Sequence, residues 1–204
     1  MEHDKSFIII GNLNAITYKE IFGLLRSNKM WLGINSGSGT MEFGVPEHYP
    51  LFGSRCRTDD DGNQFVHVSG IRWFANLDVP KRHEDIVLYR KYDPAIYLPY
   101  DNYPAINVDK VKDIPCDYPG MMGVPITFLD KYNPSQFEIV KNGQTMAKEL
   151  GIKPVGQKFV DDYYAQGNKG QINPRWNNLV YHVGTKVFVP YQRILIRNKR
   201  LQKT

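Results

Sequence analysis

Few segments of this sequence combine residue types that carry out chemistry. The glycine-rich run "GINSGSG" at residues 33–39 lacks the lysine and following hydroxyl of a nucleotide phosphate loop, which favours a plain loop. In "RHED", His83 stands beside two carboxylates, but neighbours on an extended segment point to opposite faces, which favours a solvated turn over acid–base work. The five histidines show no metal-ligand spacing, and no serine or cysteine stands on a nucleophile elbow. These patterns predict no metal site and leave the catalytic residues unknown.

The segment "NPRW", Asn173 to Trp176, partly matches a catalytic turn. Enzymes that methylate amino groups of DNA bases use an Asn/Asp-Pro-Pro-aromatic turn, in which polar oxygens accept hydrogen bonds from the amine and the ring stacks on a flipped base. Here Arg175 replaces the second proline, and no predicted strand precedes the motif. Both departures favour a simple turn, with Pro174 fixing the backbone, over a catalytic role.

Two clusters of polar residues could bind a polyanion. The first, "YQRILIRNKRLQK", contains five cations and no acid: Arg193, Arg197, Lys199, Arg200 and Lys203. The second joins cationic, aromatic and amide side chains: Arg175, Trp176, Asn177 and Asn178. Such groups suit contacts to phosphates or to base edges. A solvated basic tail that binds nothing is the alternative for the first cluster.

The elements that must hold these residues begin with a strand. Four bulky apolar residues in a row, Phe7 to Ile10, predict a strand covered on both faces inside a sheet. "TYKE" at residues 17–20 has the capping-box spacing, and Ile21, Leu24 and Leu25 recur at helical spacing, so a helix of about three turns is expected there. "KMWLGI" at residues 29–34 predicts the next strand, and residues 35–40 predict a flexible loop.

The later part of the chain has a β-rich pattern. Strands are predicted at residues 65–79, after the acidic turn "TDDDGN", and at residues 85–92. Prolines and tyrosines crowd residues 93–108, which predicts an ordered, extended segment packed on a neighbouring surface. The fold class is therefore α/β, with a partial α/β sheet region at residues 1–110 and a mixed, β-rich region at residues 111–204.

Composition limits the class of protein. The chain has 204 residues, of which 42% are hydrophobic and 13% aromatic, as expected of a folded domain rather than a disordered one. No run is long enough to span a membrane and no signal peptide is recognisable, so a cytoplasmic location is expected. The two cysteines, Cys56 and Cys116, have no neighbouring cysteine and predict buried or inert thiols rather than a disulfide framework.

Six blocks spread over nearly the whole chain carry a family resemblance. They are "FIIIGNLNAITYKEIF", "KMWLG", "IRWFANLD", "DNYPAINVDKVKDIP", "GVPITFLDKYNPSQFEI" and "RILIRNK". In this order they resemble the EcoRI-type adenine-specific DNA methyltransferases, the modification enzymes of restriction–modification systems. The match is looser between Lys141 and Thr185. In that family the S-adenosylmethionine loop and the catalytic Asn-Pro-Pro-Phe turn precede the strand that corresponds to "FIIIGN".

The resemblance implies the carboxyl-terminal half of a Rossmann-like methyltransferase sheet followed by a mixed, β-rich recognition region. The family transfers a methyl group from S-adenosylmethionine to the exocyclic amine of adenine in double-stranded DNA. We expect this chain alone to bind no cofactor tightly and to be inactive, because the cofactor loop and catalytic turn are missing. Either the chain is truncated, or a separate chain carries the amino-terminal half; a non-catalytic DNA-binding or specificity module and an inactive remnant are the alternatives.

The resemblance also suggests site residues. Asn12 and Asn14 follow the first strand, where open α/β sheets place ligands, so they are candidates for the target-adenine pocket; turn formation and helix capping are the alternative. Trp73 or Phe74 could stack on an extruded adenine, although alternation lets only one of them face a pocket. The DNA-contact candidates are the two polar clusters: Arg175, Trp176, Asn177, Asn178, Arg193, Arg197, Lys199 and Arg200.

Overall fold

The computed structural model describes residues 5–33, 40–51, 55–143, 148–149 and 151–201. The glycine-rich run at residues 34–39 and Lys203 lie outside the described residues. Strands dominate the described part: β1 (Ile8–Asn12), β2 (Trp31–Leu32), β3 (Thr40–Val45), β4 (Cys56–Thr58), β5 (Gln64–Ser69), β6 (Ile71–Ala75), β7 (Pro99–Tyr100), β8 (Tyr103–Asn107), β9 (Met121–Pro125), β10 (Phe137–Asn142), β11 (Tyr181–Val183), β12 (Lys186–Phe188) and β13 (Arg193–Asn198). The helices are α1 (Lys19–Arg26) and α2 (Gly156–Ala165), with short 3-10 helices at Leu13–Thr17, Pro80–His83, Val111–Asp113 and Ile126–Lys131.

The first sheet has the strand order β1-β6-β2. Both outer strands pair antiparallel with β6, so β1 and β2 run parallel to each other. The chain passes from β1 to β2 through α1, and β6 lies between the two parallel strands. The predicted strand at the start of the chain and the strand after the helix are therefore both present, although β2 has only two residues in the described part.

Burial of β1 differs from the expectation. Ile8, Ile9 and Ile10 are 56%, 56% and 45% exposed, so the strand is not covered on either face. The reason is its position: β1 is an edge strand with one neighbour, β6. The prediction of a buried strand at Phe7 to Ile10 is therefore wrong for this chain as it stands.

Helix α1 forms without the predicted capping box. Its N-cap residue is Tyr18, which makes no side-chain capping bond, and the Thr17 hydroxyl donates to the Asn14 carbonyl at 2.7 Å instead. A 3-10 helix already occupies Leu13–Thr17. Because of this earlier turn α1 is eight residues long, shorter than expected. Its apolar face is as predicted: Leu25 is buried, and Ile21 and Leu24 pack partly buried against the same core.

The second sheet, β3-β5-β4, is antiparallel and adjoins the first along the chain. The predicted acidic turn closes the β4–β5 hairpin: the Asp59 carboxylate accepts bonds from the Asp61 and Asn63 amides, and Gly62 has φ +85°. The single strand predicted at residues 65–79 is two strands, β5 and β6. Gly70, with φ +73°, separates them, and this left-handed conformation suits a residue without a side chain.

The third sheet has the order β10-β13-β9-β8-β7 and is mixed, with β8 and β9 parallel. Ile194, Leu195 and Ile196 of β13 are fully buried, as expected of an inner strand. The ordered, extended segment predicted at residues 93–108 is confirmed and supplies β7 and β8. The boundary predicted between residues 110 and 111 falls inside this sheet, because β7 and β8 precede it and the other strands follow it.

The strand predicted at residues 85–92 is absent from the described structure. The side chain of Gln136 takes the place of a neighbouring strand: its Oε1 accepts from the Ile86 amide at 2.7 Å and its Nε2 donates to the Ile86 carbonyl at 2.8 Å. One isolated bridge, Arg90 to Pro115, holds the other end of the segment. The side-chain amide of Gln136 thus satisfies both backbone groups of Ile86, a residue that the sequence pattern assigned to a strand.

A smaller layer completes the chain. Hairpin β11–β12 packs against α2. The buried apolar cluster of this layer consists of Phe159, Val180 and Val187. The main core lies elsewhere and draws on the first and third sheets, with Phe74 of β6 and Phe137 of β10, and on the helices beside them, with Phe22 of α1 and Phe128 of the 3-10 helix Ile126–Lys131. Cys116 is buried in this core.

A buried ion pair crosses the same core. The Arg72 guanidinium on β6 lies 3.3 Å from the Asp130 carboxylate on the 3-10 helix Ile126–Lys131, and the two side chains are only 5% and 11% exposed. Arg72 Nη1 also donates to the Ile71 carbonyl at 3.0 Å. Removing one member of a buried pair leaves an uncompensated charge, which is far more costly than losing a surface pair.

We expect Asp130→Asn to lower the free energy of unfolding by about 3–5 kcal/mol, because Arg72 would keep a buried charge with no carboxylate. The matched control is Glu138→Gln, which breaks the exposed Arg197–Glu138 pair and should cost at most about 1 kcal/mol. Urea denaturation followed by circular dichroism measures both. Equal effects of the two substitutions would contradict the assignment of Arg72–Asp130 as a buried, structural pair.

Candidate functional site

The two asparagines after β1 are exposed and form a turn. The Asn12 side chain accepts a bond from the Asn14 amide at 2.8 Å and caps the 3-10 helix Leu13–Thr17. Asn14 provides the carbonyl that accepts from Thr17. Capping therefore occupies Asn12 Oδ1, while its Nδ2 remains available to a ligand.

Trp73 and Phe74 point to opposite faces of the first sheet. Phe74 lies in the main core, where its ring contacts the backbone at Gly11 so closely that a Cβ there would lie 3.0 Å away. Trp73 is half-buried and pairs with Ile10, and Asn12 follows two residues further along β1. Since side chains alternate along a strand, Trp73, Ile10 and Asn12 share one face. The strand register thus places two of the four predicted pocket residues, Trp73 and Asn12, on one face of the sheet. Phe74 lies on the opposite face, in the main core.

The segment Asn173 to Trp176 is a hydrogen-bonded turn. The Trp176 amide donates to the Asn173 carbonyl at 3.0 Å, and the Arg175 amide donates to Asn173 Oδ1 at 3.0 Å. The turn packs beside the start of α2, because the Gly156 amide donates to the Pro174 carbonyl. The oxygens that a catalytic turn would offer to an amine are thus bound by the turn itself.

The rest of that cluster is partly structural. Asn177 donates its side-chain amide to the Ile152 carbonyl at 2.6 Å, and the Asn178 carbonyl accepts from Asn102 at 2.7 Å. Arg175 is exposed, whereas Trp176 is half-buried. Of the four residues, Arg175 has the side chain that most readily reaches a partner in solvent.

Arg193 lies in a buried polar network rather than on the surface. Its guanidinium donates to Asn107 Oδ1 and to Asp109, both at 3.1 Å. The Tyr100 hydroxyl donates to the same Asn107 oxygen at 2.9 Å, and burial raises the pKa of Tyr100 above its ordinary value. This arginine joins β13 to β8, because a buried charge needs such partners.

The other described cations of the basic cluster lie at the end of β13 and directly after it. Arg197 pairs with Glu138 at 3.1 Å and Arg200 with Asp85 at 3.0 Å. The Lys199 ammonium donates to the Pro134 carbonyl at 2.8 Å, which holds the side chain without neutralising it. The expected basic tail is therefore an inner strand and its end, and Lys199 keeps an unneutralised charge.

A cationic groove lies between α1 and β10. It has a volume of about 740 Å³ and is lined by Arg26 at the end of α1, Lys141 on β10 and Lys199. Lys141 donates to the Glu149 carbonyl at 3.3 Å, so it also keeps its charge. One carboxylate, Glu138, also lines the groove and is paired with Arg197, and the nearby Glu149 is paired with Lys19. We call the groove lined by Arg26, Lys141 and Lys199 the cationic groove. The sequence analysis did not identify Arg26 and Lys141, because both lie far from the basic cluster in the sequence.

A buried arginine stands behind one wall of this groove. Arg82 is 7% exposed and its guanidinium stacks on the Trp31 ring at 3.5 Å. Its Nη2 donates to Asn28, which lines the groove, while Nη1 has no hydrogen-bond partner among the described residues. Burial lowers the pKa of Arg82 below its ordinary value, yet an arginine remains charged at neutral pH. No Arg82–carboxylate ion pair occurs in the described part, so this charge adds to the positive field.

A second, larger cleft has a different character. It has a volume of about 1090 Å³ and is lined by tyrosines 89, 92 and 97 together with cations and acids. Asp109 and Asp113 pair with Arg193 and Arg90 at its wall. Since its lining has three carboxylates against two cations, this tyrosine cleft offers no net attraction to a polyanion.

The described residues form neither a nucleotide-type cofactor turn after β1 nor a cluster of metal ligands. After β1 the chain enters a 3-10 helix rather than a glycine-rich turn that opens an α-helix, which is how nucleotide-type cofactors are usually held. No group of three or more His, Cys, Asp or Glu side chains in the described ranges is placed to hold a metal ion. Within the same ranges, no helix is both long and apolar enough to cross a membrane.

A family model and three known relatives of this chain agree on the family to which it is similar. The model of the family described as adenine-specific methyltransferase EcoRI matches residues 1–199. Type II methyltransferase M.EcoRI of Escherichia coli is 46% identical over 205 residues, which cover 100% of this chain and 53% of the relative. M.MgeORF184P of Mycoplasma genitalium is 38% identical over 144 residues, covering 69% of this chain and 45% of the relative. M.MpnI of Mycoplasma pneumoniae is 36% identical over 143 residues, covering 68% and 44%.

These matches confirm the resemblance carried by the six sequence blocks. No solved structure matches the chain significantly. The chain spans about half the length of the curated relatives it matches, all of which are type II methyltransferases. It belongs to the EcoRI family of adenine-specific methyltransferases.

Proposed function

We propose that this chain is the carboxyl-terminal part of a restriction–modification DNA methyltransferase that acts on the exocyclic amine of adenine. The observation that carries the proposal is the family match over residues 1–199, together with 46% identity to M.EcoRI. S-adenosylmethionine supplies an activated methyl group in such enzymes. Since the described residues do not fit a cofactor site, we assign that site and the catalytic turn to the part of the enzyme outside this chain.

In this proposal β1 becomes an inner strand of a Rossmann-like sheet. Its outer edge has no neighbouring strand in the described structure, and three consecutive isoleucines are exposed there. An exposed apolar edge invites pairing with a further strand. The occupant we assign is a strand from the remaining part of the family enzyme, since the chain covers only 53% of M.EcoRI. That part would belong either to the same gene product or to a separate chain.

The chain itself would contribute DNA contacts and part of the base pocket. Base flipping costs a few kcal/mol, which stacking and hydrogen bonds in a pocket offset. Trp73 and Asn12 share the face of the first sheet that carries Ile10, so the indole can stack on a base while the Asn12 amide donates to one of its acceptors. Arg175 and Trp176 would contact DNA at the turn beside α2.

A non-catalytic DNA-binding or specificity module is the second candidate. The cationic groove favours it, because three cations on its lining suit binding of a polyanion. The two candidates differ in one respect: only the first requires the chain to restore catalysis when joined to the remaining part of the enzyme.

We expect the pure chain to transfer no tritiated methyl group from S-adenosylmethionine into duplex DNA containing adenine. Mixing it with the portion of M.EcoRI that this chain does not match should restore transfer, because the two parts would complete one sheet. Transfer by the pure chain would contradict the division of roles. Failure to restore transfer in a stable mixture would favour the non-catalytic module or an inactive remnant.

The β1 edge can be tested separately. We expect Ile8→Lys combined with Ile10→Lys to change the free energy of unfolding of the chain by only about 0.5 kcal/mol, since both side chains are exposed. The same pair should abolish restored methyl transfer, because lysines would be buried at the new strand junction. The matched control replaces two exposed apolar residues elsewhere, Val87→Lys with Ile96→Lys. Full transfer by the β1 variant would rule out pairing at this edge.

A further inference from the structure

The cationic groove is made by two elements that are distant in sequence. Arg26 ends α1, which follows β1 of the first sheet along the chain, whereas Lys141 lies on β10, an edge strand of the third sheet, and Lys199 directly follows β13. The three cations therefore meet only because the two sheets share one core. A groove of about 740 Å³ with three unneutralised cations on its walls is a surface suited to a chain of phosphates.

The hydrogen bonds of the groove hold the cations in place without cancelling them. The Lys141 and Lys199 ammonium groups each donate to a backbone carbonyl, of Glu149 and Pro134, which fixes their positions and leaves further N–H groups for a ligand. Among the described residues Arg26 forms no ion pair within 4.0 Å, although Glu149 lies within electrostatic reach. The nearby carboxylates already have cationic partners.

Arg82 supplies an independent observation. This arginine is 93% buried, bonds to Asn28 on the groove wall, and has a guanidinium nitrogen with no partner among the described residues. Asp78 attracts this charge through space but forms no ion pair with it in the described part, so an anion in the adjoining groove would further reduce the cost of burying it. Tyr132 lines both the groove and the small cavity beside Arg82, so the two sites are contiguous.

We propose that the cationic groove binds the phosphate backbone of duplex DNA, with Arg82 strengthening its field from behind Asn28. The proposal rests on the proposed function for its partner and adds the surface on which that partner lies. Such contacts position the duplex without reading its sequence. The tyrosine cleft is excluded from this role because the carboxylates on its lining outnumber the cations.

The test is the salt dependence of DNA binding by the full chain. Each phosphate contact contributes about −0.9 to the slope of log affinity against log salt. The variant Arg26→Gln, Lys141→Gln, Lys199→Gln should therefore bind a labelled duplex with a slope less steep by about 2.7, equally for duplexes of different sequence. The charge-matched control is Lys91→Gln, Lys110→Gln, Lys112→Gln around the tyrosine cleft, which should keep the original slope.

Three results would contradict the proposal that the cationic groove binds DNA phosphates. They are an unchanged slope in the groove variant, an equal loss in the control, and displacement of DNA by inorganic phosphate beyond its ionic-strength effect, which would indicate a small-anion site. If the triple variant unfolds, Lys199→Gln alone should reduce the slope by about 0.9. The measurement requires no methyl transfer, so its outcome is independent of the complementation assay.

Discussion

The buried Arg72–Asp130 pair is the interaction on which the arrangement of the first and third sheets depends. It joins β6, the central strand of the first sheet, to the 3-10 helix that follows β9 of the third. An ion pair inside a core is favourable only when both partners are in place, because each charge alone would be costly to desolvate. The pair therefore makes correct docking of the sheets a condition for stability, and the apolar core around Phe74 and Phe128 supplies the driving force.

Two functional surfaces follow from this docking. Fixing β6 also fixes β1 and β2 on either side of it, so the exposed isoleucines of β1 are held at the edge of a rigid sheet. The same docking brings Arg26 beside Lys141 and Lys199. The apolar edge and the cationic groove differ in their chemistry, which suits one to polypeptide and the other to nucleic acid. The packing of the first sheet against the third therefore positions both the apolar edge and the cationic groove.

Local sequence patterns predicted the secondary-structure elements more accurately than they predicted the burial and the neighbours of those elements. The apolar run of β1, the helical spacing in α1 and the acidic turn after β4 were recognisable because each depends on neighbours in the sequence. The exposure of β1 was not predictable, since it depends on which strand lies next to it. The strand expected at residues 85–92 is absent from the described structure, and side chains distant in sequence bond to its ends: Gln136 to Ile86 and Asp117 to the Tyr92 amide. For the site, alternation correctly separated Trp73 from Phe74, whereas the cationic groove depends on tertiary contacts that no local pattern encodes.

The bonds from Gln136 to Ile86 also bear on solubility. Residues 85–92 have a strongly β-forming composition, and Val87 and Tyr89 within them are exposed. A free segment of this kind can recruit identical segments from other molecules into a growing cross-β stack. By occupying the amide and the carbonyl of Ile86, one glutamine side chain removes two of the hydrogen-bonding groups that such a stack needs. The two bonds of Gln136 therefore withhold both backbone groups of Ile86 from pairing between molecules.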